Sequence, residues 1–169
     1  MLTVYIGYDS TQDLAYEVCK RSIHFHNPDI NVVKIDRKEL QDIGLFWRED
    51  NTGSTEFTYT RFLVPYMNNY TDWALFCDSD FLWECDVNEL MGYRDPEFAV
   101  SCVQHDYTSC TAAIKMDGKA QEYYPRKNWS SLMLFNCAHS DCKNLTPNSV
   151  SNNSPAWLHR MQWCDDKNI

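Results

Sequence analysis

Between Leu2 and Ile35, two apolar runs of strand length, Leu2 to Tyr8 and Ile30 to Ile35, bracket a segment whose apolar residues recur at helical spacing. Leu14, Ala15, Val18, Cys19 and Ile23 mark that helix, Asp9 or Ser10 can cap its start, and Asn27 with Pro28 ends it. A strand–helix–strand unit pairs its strands in parallel through a right-handed crossover. The opening therefore commits the chain to the α/β class. Arg37 to Ser54 reads as an irregular loop with a short helical turn around Leu40, and Thr55 to Val64 as a helix that Pro65 limits. Val87 to Met91 reads as a short helix, and Phe98 to Val103 and Trp129 to Asn136 as strands. Ser154 to Asp166 reads as a closing helix with Pro155 in its first turn. No linker, repeat or low-complexity tract divides the chain, so residues 1–169 are expected to form one domain.

The stretch Trp73 to Trp83, WALFCDSDFLW, carries the chemistry. An apolar run of strand length ends in two carboxylates, Asp78 and Asp80, separated by Ser79. Side chains alternate across a strand, so the two carboxylates can point together while Ser79 points away. Two hard oxygen donors so close repel unless a cation lies between them, and Mg²⁺ or Mn²⁺ held this way completes its shell with substrate phosphates. In open α/β sheets, ligands bind in the crevice beyond the carboxyl ends of the strands. The end of the first strand opens onto the same crevice. Gly7 there can bring backbone close to a ligand, Tyr8 can stack on a base, and Asp9 can accept hydrogen bonds from a ribose or base edge.

Composition removes several alternatives. A net charge of −9 and 15 Lys plus Arg in 169 residues are the wrong balance for a polyanion surface, which argues against nucleic acid. No run approaches the ~18 apolar residues that span a bilayer, and the start MLTVYIGYDS has neither a basic region nor a small-residue cleavage site. The expectation is a soluble, cytoplasmic protein. Of the eight cysteines, Cys19, Cys77 and Cys102 lie inside apolar segments, and no C-x-x-C pair announces zinc, so reduced core thiols are expected. Sequons at Asn69, Asn128, Asn144 and Asn152 would matter only in a secreted protein. His105, His139 and His159 show no spacing that suggests a metal site and read as structural or surface residues.

Taken together, VYIGYDS at the start, TRFLVPYM ahead of the acidic strand end, LFCDSDFLW and NWSSLMLFN resemble a small glycosyltransferase of the GT-A fold. The chain is similar to the retaining hexosyltransferases of family 8 and, more closely, to the short glycosyltransferase domains of large DNA viruses (chlorella-virus type) and phages. The resemblance spans about the whole chain. It implies a Rossmann-like single domain with a central, mostly parallel mixed sheet flanked by helices. It also implies transfer of a hexose or deoxyhexose from a nucleotide-diphosphate sugar, UDP-linked, to a glycan acceptor, in the cytoplasm of an infected cell if the source is viral.

By the same resemblance, Asp78 and Asp80 match the D-x-D that holds Mn²⁺ or Mg²⁺ against the donor's phosphates, with Ser79 between them. Gly7, Tyr8 and Asp9 match the segment that holds the nucleoside. Arg61 matches an arginine that orients an acidic residue or the donor sugar. Asp165 and Asp166, in LHRMQWCDDKNI, match a late motif beneath the anomeric carbon, as a base for the acceptor hydroxyl or as a group stabilising an oxocarbenium-like transition state. Family members continue past this point, and a later histidine commonly supplies a third metal ligand. Ile169 is therefore expected to mark a truncation or a minimal, more open site in which donor hydrolysis competes with transfer.

Three other classes are set against this one. A haloacid-dehalogenase-like phosphatase continues D-x-D with Thr or Val, where Phe81 follows here. A nucleotidylyltransferase needs a glycine-rich basic opening, where GYDST stands. The third is a weakly catalytic nucleotide-sugar-binding or scaffold domain of the same fold.

Overall fold

A computed structural model describes residues 2–49, 53–105, 125–126 and 128–169. The opening unit forms as its pattern requires: β1 (Thr3–Gly7), a 3-10 turn (Ser10–Gln12) capped by the Asp9 carboxylate, α1 (Asp13–His26) and β2 (Asn31–Ile35). The chain leaves α1 at Asn27, whose N–H donates to the Ile23 carbonyl at 3.0 Å. The buried face of α1 is Tyr16, Cys19 and Ile23. Leu14 and Val18, expected to face the core, are 77% and 45% exposed. Tyr16, Cys19 and Ile23 share one face at i, i+3 and i+7, and Leu14 and Val18 lie off it.

Asp36 caps α2 (Arg37–Asp42) by accepting from the Lys38 and Glu39 N–H groups, so a helix stands where one turn around Leu40 was expected; Asp50, Asn51 and Thr52 of that expected loop lie outside the described residues. The expected Thr55 to Val64 helix resolves differently. Turns lead to a 3-10 segment (Thr60–Leu63) with all four residues buried, then to α3 (Val64–Met67), where Pro65 occupies the first turn. Proline is tolerated there because its missing N–H has no helical partner to lose, so it starts a helix rather than ending one.

Next come β3 (Trp73–Cys77), a 3-10 segment (Val87–Tyr93), β4 (Val100–Cys102), a 3-10 turn (Trp129–Ser131), β5 (Leu132–Asn136), α4 (Pro147–Asn152) and α5 (Pro155–His159). The closing helix stops early. Met161 takes φ 52°, and the chain turns so that Trp163 and Cys164 enter the core before a last 3-10 turn (Asp166–Asn168).

The five strands form one sheet in the order β2-β1-β3-β5-β4. β1 is parallel to β2 and β3, and β5 is antiparallel to β3 and β4, so four strands share one direction and β5 opposes them. Alternation divides the core. Val4, Ile6, Leu75, Cys77 and Leu134 pack with α1 on one face, while Tyr5, Ala74, Phe76, Met133 and Phe135 pack with Phe62, Leu158 and Trp163 on the other. Seven described cysteines are free thiols, with Cys19 and Cys77 3.9 Å apart across α1 and β3. Among the described residues no helix is long and apolar enough to cross a membrane.

Candidate active site

Along one edge of this sheet lie the carboxyl ends of β2, β1 and β3 and the start of β5. At the end of β1, a Cβ on Gly7 would sit 2.3 Å from Phe57 Cδ2, so the close approach glycine allows here is to that ring. Asp9 is 5% exposed and fully engaged: Oδ1 accepts from Thr11 N (3.0 Å) and Thr11 Oγ1 (2.6 Å), and Oδ2 accepts from Glu56 N (3.2 Å). Glu56 reciprocates, accepting from Ser10 N (2.8 Å) and Ser10 Oγ (2.7 Å). The two carboxylates thus fasten the 53–59 segment to the loop after β1. Tyr8 donates from its hydroxyl to Asp13 Oδ1 (3.1 Å), meets Tyr16 edge-on and lies 4.4 Å beneath Lys34 Nζ. One face of the ring expected to stack on a base therefore already carries an ammonium group. Beside these residues a cavity of about 520 Å³ is walled by Asp9 and Thr11, by Arg37, Lys38 and Gln41 of α2, and by Gly53 to Glu56 with Tyr59.

At the end of β3, the Asp78 N–H donates to Ser131 O (2.9 Å), while its Oδ1 lies 2.8 Å from Arg61 Nη1. Arg61 is 6% exposed. Its Nη1 also donates to Ser130 O (2.8 Å), its Nε donates to Phe57 O (3.4 Å), and its guanidinium sits 5.1 Å from each of the Phe57 and Phe76 rings. Burial pushes the Asp78 carboxyl up to about 6; the Arg61 charge opposes that rise and the Asp80 charge adds to it. Ser79 is 2% exposed and Asp80 is exposed, so the backbone turns at this point and the two carboxylates differ in solvation.

Ser130 and Ser131 lie within NWSSLMLFN and His159 reads from sequence as a structural or surface residue, so none of the three is among the expected site residues. Ser130 Oγ and His159 Nδ1 share a hydrogen bond of 3.1 Å. The imidazole also packs edge-on against Phe62 (centroids 5.2 Å) and tilted against Tyr59 (6.1 Å).

Asp165 and Asp166 stand apart from these contacts. Asp165 caps the last 3-10 turn and lies 3.5 Å from Lys167, and its N–H donates to Asp141 Oδ2 (3.1 Å). Asp166, with its side chain 84% exposed, pairs with Arg126 Nη2 at 2.6 Å, and Arg126 Nη1 donates to Arg160 O. For a divalent cation, no cluster of three or more His, Cys, Asp or Glu occurs among the described residues. The donor set at β3 is two hard carboxylates whose charges oppose each other, and this suits a cation that draws its other ligands from phosphate and water.

The fold is the GT-A fold, a five-stranded, mostly parallel mixed sheet flanked by helices. GlyE, a glycosyltransferase of Streptococcus pneumoniae, superposes with TM-score 0.56 at 15% identity, covering 96% of this chain and 43% of that one. The bifunctional glycosyltransferase WbbM superposes at 0.56 with 16% identity, over 85% of this chain and 33% of that one. The galactosyltransferase LgtC, solved with donor and acceptor sugar analogues, superposes at 0.50 with 14% identity, over 95% and 63%. No family model matches the chain. In sequence it is 45% identical over 168 residues to Protein CDI of Arabidopsis thaliana, covering 98% of this chain and 64% of that protein, so it spans less than two thirds of the relative's length.

Proposed function

We propose that this chain is the donor-binding domain of a metal-dependent glycosyltransferase that moves a hexose or deoxyhexose from a UDP-linked sugar to a glycan acceptor. The observation that carries this reading is the Arg61–Asp78 pair at the end of β3, on the same sheet edge as the cavity beside Asp9. Structural likeness to three glycosyltransferases supports it at the level of fold.

In this reading Asp78 and Asp80 hold Mn²⁺ or Mg²⁺. The bound cation supplies Lewis-acid neutralisation of the charge that develops on the departing nucleoside diphosphate. The Arg61 charge counters part of the rise that burial imposes on the Asp78 carboxyl, and its Nη1 holds Oδ1 at 2.8 Å. The nucleoside occupies the cavity walled by Asp9, Thr11 and the first turn of α2, whose Arg37 and Lys38 suit an anionic ligand. Tyr8 is held in place by Asp13 and Lys34, and presents its remaining surface to the ligand. Asp165 or Asp166 takes the acceptor proton or stabilises the developing positive charge at the anomeric carbon, with Arg126 Nη2 paired to Asp166 Oδ1 at 2.6 Å.

The test is thermal unfolding with Mn²⁺, with UDP and with both, followed by assay of free UDP released from UDP-hexoses. Ligands bound only by the folded state raise the midpoint by mass action. A rise that requires both components, together with Mn²⁺-dependent UDP release, is the expected result. A rise without turnover would favour the nucleotide-sugar-binding scaffold, and no rise in a folded sample would remove the metal-bridged nucleotide site.

A further inference from the structure

We infer that His159, from α5, is a positioning residue for the Asp78 site, acting through Ser130 on the Arg61–Asp78 pair. The inference rests on the reading of Asp78 as a ligand-binding carboxylate, but its structural basis is independent of any metal.

Arg61 reaches Asp78 with a guanidinium that is aimed by two carbonyls. One, Phe57 O, belongs to the segment that carries Arg61; the other, Ser130 O, belongs to the turn before β5. The direction of the fork is therefore set by how that segment and that turn sit relative to each other. His159 touches both. Its Nδ1 bonds the Ser130 hydroxyl, and its ring packs on Tyr59 and Phe62, which flank Arg61 in sequence. The same turn also holds the Asp78 backbone, because Ser131 O accepts the Asp78 N–H. One imidazole thus joins the two elements that place the guanidinium, and the turn it anchors places the carboxylate as well. Ser130 is 5% exposed, so water cannot readily replace the imidazole at its hydroxyl. Partners that orient a ligating carboxylate from behind typically alter metal affinity by about 10–100-fold when removed.

Two substitutions separate positioning from packing. His159→Phe keeps a ring against Tyr59 and Phe62 and loses the hydrogen bond to Ser130; Ser130→Ala removes the other partner of that bond with a minimal change of volume. Each is combined with Asp78→Asn, and unfolding midpoints of the full chain are measured without metal. Positioning predicts coupling: each of the two substitutions costs less in the Asp78→Asn background than in the parent, because the charged Arg61–Asp78 contact that His159 supports is absent there. Additive shifts in both cycles overturn the proposal.

In parallel, the affinity for Mn²⁺ alone is measured by electron paramagnetic resonance. It is expected to weaken by at least about tenfold in both His159→Phe and Ser130→Ala. Unchanged Mn²⁺ affinity beside a lowered midpoint would make His159 a packing residue only and would also overturn the proposal. If the parent chain binds no Mn²⁺, the metal reading falls, and the two coupling cycles alone decide whether His159 positions the pair.

Discussion

Arg61 Nη1 and Asp78 Oδ1 meet at 2.8 Å, where the buried 3-10 segment that carries the arginine passes the end of β3. The pair is unequal. Arg61 is enclosed by two aromatic rings and two carbonyls, whereas burial still holds the Asp78 carboxyl up to about 6 despite the adjacent cation. A carboxylate kept part-way to neutrality beside a second carboxylate is suited to a ligand that brings positive charge.

If Asp78 holds a cation as proposed, stability and metal binding run in opposite directions with pH. The folded-state value of Asp78 lies above its unfolded value of 3.8, so the folded state holds this proton more tightly. The stability so gained is full below about pH 4 and is lost as the pH rises through about 6. At pH 7.5, Asp78→Asn is expected to be more stable than the parent by on the order of 2 kcal/mol, and this advantage vanishes near pH 4. Metal binding needs the ionised carboxylate, so Mn²⁺ affinity should rise through the same interval. Paired melting curves across pH check the first statement and Mn²⁺ titrations the second; an advantage that persists unchanged at pH 4 would mean that it does not come from ionisation of Asp78.

Asp80 raises the Asp78 value by its charge and is itself exposed, so its loss should relieve repulsion without opening the core. Asp80→Ala is expected to leave the far-ultraviolet dichroism and the melting midpoint intact or slightly improved. Its Mn²⁺ affinity should fall by more than the about 10–100-fold typical of residues behind a ligand, with loss of metal-dependent turnover. Undiminished turnover in this variant would remove Asp80 from the metal site.

Much of the sheet was legible because its signals are local. Val4 and Ile6 against Tyr5, and Leu75 and Cys77 against Phe76, alternate as a strand with two covered faces must, and the acidic strand end stands out against that run. Segments governed by distant packing were not legible in this way. The stretch from Phe57 to Leu63 has helical composition but winds partly as 3-10 to bury Thr60, Arg61, Phe62 and Leu63 together. Nothing near Met161 in sequence announces its positive φ, which ends α5 and sends Trp163 into the core. At the candidate site, Asp78 could be read from its neighbours, whereas Ser130 and His159 reach it only through contacts 29 and 69 residues apart in the chain.

Gly7 links the first strand to the arginine's support. A Cβ there would fall 2.3 Å from Phe57 Cδ2, and Phe57 supplies both a ring and a carbonyl to Arg61. Gly7→Ala is expected to cost about 1–3 kcal/mol by overpacking and to weaken Mn²⁺ binding through displacement of Phe57. Combining it with Phe57→Leu, which vacates the colliding ring atoms, should recover part of the stability. The check is a denaturant midpoint for each single variant and the double variant; a neutral Gly7→Ala would show that the ring has room to move.

Asp9 separates a structural carboxylate from a ligand-binding one. Both of its oxygens are already taken, by Thr11 and by the Glu56 N–H, and Glu56 in turn holds Ser10. Removing the acceptor from a site that is 5% exposed leaves buried donors unpaired, so Asp9→Ala is expected to lose about 1–3 kcal/mol whether or not a nucleotide binds. Glu56→Ala removes the carboxylate that holds Ser10 and leaves both Asp9 oxygens engaged, Oδ1 with Thr11 and Oδ2 with the backbone N–H of residue 56. If Asp9 only fastens the 53–59 segment, the two variants should weaken UDP binding in proportion to their loss of stability. If Asp9 also contacts the nucleoside, Asp9→Ala should weaken UDP binding by a further factor of about ten at matched stability, as for one charged hydrogen bond. Isothermal titration with UDP and Mn²⁺, beside a urea midpoint for each variant, measures the difference.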